Sequence, residues 1–128
     1  MTARAILLVV LAGVFACGGS SSPTTPSTPP PAGNQPTITI SSAGLVSPKE
    51  LTVSPGTRVL FVNNDSRRHE MGSDPHPDHT DCPPLNQVGV LQPGQSRETG
   101  NLNTVRTCGF HDHENPANTS LQGRIIIR

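Results

Sequence analysis

Apolar residues recur along this chain in short alternating runs, not in helical stripes. Thr37-Ile38-Thr39-Ile40 alternates polar and apolar positions, and Leu51-Thr52-Val53 repeats the pattern before the turn Ser54-Pro55-Gly56. Arg58 to Val62 is the strongest strand candidate and ends at the turn-forming Asn63-Asn64-Asp65. Leu91-Gln92-Pro93-Gly94 marks another turn, Val105 to Phe110 alternates weakly, and Ile125-Ile126-Ile127 closes the chain as an inner strand. No segment sustains a 3.6-residue apolar period, and proline or glycine recurs too often for long helices. Many short strands punctuated by turns predict an all-β fold, an antiparallel β-sandwich. Between Glu70 and Val88 runs a proline-, aspartate- and histidine-rich excursion with no period. A long irregular loop inside a compact domain is usually functional.

The first 35 residues read differently. Arg4 precedes an apolar run of 11 residues, Ile6 to Ala16, too short for the roughly 20 helical residues that span a bilayer. It ends in Val14-Phe15-Ala16-Cys17, which resembles a bacterial lipobox. Residues 1–17 are therefore expected to be a lipoprotein signal peptide, with cleavage before Cys17 and lipidation of its thiol. Gly18, not Asp, follows the cysteine, so nothing argues for retention at an inner membrane. Residues 18–35 carry no large apolar side chain and read as a disordered Ser/Thr/Pro-rich tether. The folded domain is expected at residues 36–128. Nine basic and nine acidic side chains leave a formal charge of zero, which gives no electrostatic case for nucleic acid.

All five histidines fall in two short regions. His69, His76 and His79 lie with Cys82 in the first; Cys108, His111 and His113 form the second. Dense histidine clusters mark metal sites, because imidazole is the commonest nitrogen ligand for copper and zinc. His111 and His113 are two apart, so on a strand both face one way, while Cys108, Phe110 and Asp112 face the other. Phe110 is the obvious core residue, so Cys108 should point inward with it. The five imidazoles are expected to gather at one end of the sandwich. Asp74, Asp78 and Asp81 in the loop are candidate acceptors for imidazole N–H groups, and Met71 is a candidate soft ligand.

Val53 to Asp65 (VSPGTRVLFVNND) followed by His69 resembles the segment of plastocyanin-like cupredoxins that delivers the first copper histidine. Leu91-Gln-Pro-Gly-Gln-Ser resembles their next turn, Cys108-x-x-His111 the cysteine and second histidine of a blue copper site, and Leu121-Gln-Gly-Arg-Ile-Ile-Ile their closing strand. The resemblance covers about residues 36–128. It implies a Greek-key sandwich, copper as cofactor, and a type 1 set of His69, Cys108 and His111, with Leu121 at the axial position where a methionine usually sits. The regions around His76 and His113 are more similar to a histidine-rich cupredoxin-like subgroup. In a second alignment His111-Asp112-His113 resembles the His-Cys-His strand of multicopper oxidases, with Asp112 in the cysteine place.

Two site readings stay open. Cys108 could be a copper thiolate, which would make the protein a one-electron carrier. Alternatively Cys82 and Cys108 pair, since once Cys17 is lipidated two cysteines remain in an oxidising compartment. Copper would then be held by nitrogen alone, from among His69, His76, His79, His111 and His113. The functional expectation is copper handling or redox outside the cytoplasm, at the periplasmic face of an outer membrane or the cell surface. The partners expected are the membrane, through the lipid, and a redox or copper-exchange protein. No substrate pocket is legible, so an enzyme ranks last. A lipid-anchored structural sandwich that takes up no metal is the remaining alternative.

Overall fold

The computed structural model describes residues 34–128, so the expectations for the signal peptide and for most of the tether lie outside the described residues. The strands are β1 (Thr37–Ile40), β2 (Val46–Ser47), β3 (Glu50–Val53), β4 (Leu60–Asn63), β5 (His69–Ser73), β6 (Gly89–Leu91), β7 (Ser96–Glu98), β8 (Arg106–Asp112) and β9 (Gly123–Ile127). Two single-turn 3-10 segments, Leu85–Gln87 and Thr119–Leu121, are the only helical elements among the described residues.

The strands form two sheets, in the orders β2-β1-β4-β7 and β3-β9-β8-β5-β6. Both are mixed, not purely antiparallel: β1 runs parallel to β4, and β3 parallel to β9. The alternation read from the sequence sets the inner faces. Ile38 and Ile40 of β1, Phe61 of β4, and Ile125 and Ile127 of β9 are all buried. Phe61 and Phe110 meet edge to face across the sandwich, with ring centroids 5.3 Å apart at 85°, a favoured aromatic geometry.

The expected irregular excursion from Glu70 begins instead as an interior strand. β5 pairs with β6 on one side and β8 on the other, with Met71 opposite Asp112 and Gly72 opposite His111. Its pattern is hard to read because both of its faces are covered. The same holds for the end of β8, where Phe110, His111 and Asp112 are buried in succession. Strict alternation fails there because a loop lies over the outer face of the sheet.

Candidate metal centre

That loop is residues 74–82, and it carries two of the histidines. Its path is set by backbone contacts to the sheet. The Asp74 amide donates to the Gly109 carbonyl at 3.0 Å, and the Asp81 amide donates back to the Asp74 carbonyl at 2.8 Å. His79 sits at the loop's tightest point with φ 52°, a left-handed conformation unusual for a non-glycine residue. Three hydrogen bonds hold it there. Its amide donates to the Pro75 carbonyl at 2.8 Å, and its carbonyl accepts from Ser73 Oγ at 3.0 Å and Asn86 Nδ2 at 2.7 Å.

Two glycines on the outer face make room for the loop. A Cβ on Gly72 would lie 2.9 Å from the His79 ring, and one on Gly109 would lie 2.0 Å from Asp74 Oδ2. Asp74 can thus reach across β8 to His111, where Oδ1 accepts from the ring Nδ1–H at 2.7 Å. A carboxylate only accepts, so the proton is on Nδ1 and the lone pair of His111 is on Nε2. That lone pair faces His79 Nε2 at 3.2 Å, and His79 Nε2 lies 3.0 Å from His113 Nδ1. The His76 ring closes the group, with its centroid 4.8 Å from that of His113 and 5.4 Å from that of His111.

Four imidazoles therefore converge: one ligand atom from each of His76, His79, His111 and His113 lies within 4.8 Å of the other three. Burial is graded across them. His76 is exposed, His79 and His113 are half-buried, and His111 is buried. Burial first, and then the charges of His111, His113 and His76, hold His79 below the usual 6.5 of histidine. That favours the neutral, ligating form. The set fits a copper ion. Metal–nitrogen bonds of about 2.0–2.1 Å put tetrahedral ligand atoms about 3.3 Å apart, and two pairs already stand at 3.0 and 3.2 Å. Imidazole donors suit copper, though zinc shares the preference.

Cys82 and Cys108 are joined as a disulfide with Cα atoms 5.5 Å apart, and both are buried. The bridge ties the end of the histidine loop to the strand that bears His111.

Solved structures share this chain path. A purple cupredoxin from Nitrosopumilus maritimus matches with a TM-score of 0.56, over 73% of this chain and 99% of that one, at 20% identity. Oxidised plastocyanin from Dryopteris crassirhizoma gives 0.55 over 72% and 99%, at 19% identity. The Cu(I) form of a mutant amicyanin gives 0.54 over 73% and 81%, at 15% identity. The fold is that of the cupredoxins. No protein-family model and no curated protein sequence matches the chain.

Within this cupredoxin fold the expected type 1 set does not assemble. Cys108 is bonded to Cys82 and has no free thiolate. His111 faces outward, whereas His69 lies in phase with Met71 and Asp112 on the opposite face of the sheet. Leu121 is a buried core residue without a donor atom. The expected ligand set of five histidines narrows to four, because His69 lies on the opposite face of the sheet and is not among the converging nitrogens.

His69 has a different environment. Its Nδ1 lies 2.8 Å from Asp112 Oδ2 and its Nε2 lies 3.1 Å from Asp65 Oδ2, and all three side chains are buried. Both ring nitrogens are thus engaged by carboxylates. Asp65 also accepts from Arg67 at 3.0 and 2.8 Å. The Arg67 hydrogen bonds, opposed by burial and reinforced by His69, lower the Asp65 carboxyl to about 2. Asp112 Oδ1 accepts from the amides of Glu70 and Glu114. Asp112 was not legible as a partner of His69 because only the register of β5 against β8 brings it there, and Asp65, four residues before His69, reads as a turn residue. Of the three loop aspartates, Asp74 contacts an imidazole, while Asp81 pairs with Arg106 at 3.2 Å.

Proposed function

We propose that this chain is an extracytoplasmic copper-binding protein whose ion is held by His76, His79, His111 and His113. The observation that carries the reading is the convergence of four imidazole nitrogens within 4.8 Å on a bed of two glycines. A purely structural role for the loop would not call for four rings turned onto one point, nor for an aspartate fixing the tautomer of one of them. A bound ion supplies Lewis acidity and, if copper, one-electron redox capacity. The residues of the chain set the donor atoms: Asp74 orients His111, the backbone clamp fixes the position of His79, and His113 follows directly on β8.

A nitrogen-only donor set favours copper storage or delivery over the electron transfer expected of a copper thiolate. Copper is preferred to zinc because solved proteins of this fold include an amicyanin described in its Cu(I) state. Anchorage through a lipid on Cys17, outside the cytoplasm, is the reading the N-terminal sequence supports.

Calorimetric titration of the metal-free protein with Cu(II) tests the assignment. One ion per chain is expected, and the double variant His79→Ala/His113→Ala should bind at least about 100-fold more weakly (about 2.7 kcal/mol). Equal uptake by that variant, or none by the wild type, would contradict the assignment.

A further inference from the structure

We propose that His76 is the exchange ligand of this centre, the imidazole that an incoming donor displaces when the ion passes to or from another copper-binding protein. The inference rests on the copper reading and deepens it. Three ligands are anchored. His111 is buried and its ring is held by Asp74 at 2.7 Å. His79 is fixed by three backbone hydrogen bonds. His113 follows directly on β8, and its amide donates to the Glu70 carbonyl at 2.7 Å.

His76 differs on each count. It is the exposed member of the four, and it lies between Pro75 and Pro77 at the outer turn of the loop. Among the described residues its ring has no hydrogen bond, whereas the His111 ring is held by Asp74 from outside the ligand set. The solvent side of the centre is therefore the side of its least constrained ligand.

Ligand substitution there is chemically simple. A bond forms between the ion and a donor of the partner, the bond to the His76 imidazole breaks, and no electron changes place. His76 keeps its lone pair or takes a proton from water. The partner is a copper-binding protein that presents nitrogen donors at its own surface, so that the Cu(II) ion passes between like ligands.

Stopped-flow transfer of Cu(II) from the loaded protein to EDTA tests the assignment. The expected rate rises in proportion to EDTA concentration, as an incoming-donor mechanism requires. His76→Ala should lower the equilibrium affinity by no more than about tenfold and speed the transfer. Asp74→Asn, which touches no ligand atom, should weaken binding by about 10–100-fold. His111→Gln should do so more severely, and retained near-native circular dichroism would identify that loss as local to the site. A transfer rate independent of EDTA, or equal losses for His76→Ala and His111→Gln, would overturn the exchange role while leaving copper binding intact. A wild-type protein that takes up no Cu(II) would overturn both.

Discussion

Gly109 and Gly72 carry as much of the site as the histidines do. Each is silent in a search for ligands, yet each removes a Cβ that would strike Asp74 or the His79 ring. Gly109→Ala is expected to push Asp74 off His111 and weaken Cu(II) binding by about 10–100-fold, with the fold retained; isothermal titration beside circular dichroism checks both halves. His69 separates from the metal site at the same scale. His69→Gln removes at least one of the ring contacts to Asp65 and Asp112, carboxylates that keep their Arg67 and backbone donors, and should cost about 1–3 kcal/mol of stability. Its copper stoichiometry should stay at that of the wild type. Chemical denaturation read together with copper titration separates the two effects, and lost uptake in a folded His69→Gln protein would place His69 back among the ligands.

At the scale of elements, the site is a loop strapped over two strands by a disulfide. Cys82 and Cys108 are 26 residues apart, and closing such a loop stabilises the fold by about 3–4 kcal/mol in the chain-entropy model. The double Cys→Ala variant should lose about that much in a urea titration, and the intact, unfolded domain should show no free thiol. How much of this was legible follows from periodicity. β1, β3, β4 and β9 bury one face only, so Ile38/Ile40, Val53, Phe61 and Ile125/Ile127 mark them in the sequence. β5 could not be read so, because Glu70 and Gly72 give it a polar, small-residue face shaped to receive a loop. The shared facing of His111 on β8 and His113 just beyond it was legible from their spacing. The opposite phase of His69 was not, since it depends on which residue of β5 faces which residue of β8, and that register is a long-range fact. Asp74 stood out as an acidic residue near histidines, but its contact with His111 required the gap that Gly109 leaves.

The whole molecule joins a cupredoxin sandwich whose interior holds an imidazole between two carboxylates to an outer face that gathers four more imidazoles. The two should respond to acid in different windows. His79 is held below its ordinary 6.5 in the folded protein, so as pH falls through that value the unfolded chain takes up the proton first and the fold loses stability. Stability and copper affinity should both begin to fall as pH drops below about 6.5, because protons compete for the same lone pairs. Asp65, lowered from 3.8 to about 2, contributes stability that is present above about pH 4 and is lost on further acidification toward pH 2. Copper should therefore leave in a step well above acid unfolding, a separation that dialysis and circular dichroism across pH would reveal.

The central claim is that the ion rests on four outward imidazoles and no sulfur. Pulsed electron paramagnetic resonance of the Cu(II)-loaded protein counts those nitrogens directly. A single copper environment is expected, with couplings from imidazole rings that fall by one ring in His113→Ala and stay unchanged in His69→Gln, in a protein without the intense blue of a copper thiolate. A spectrum altered by His69→Gln, or one carrying the strong covalent signature of a cysteine ligand, would contradict it.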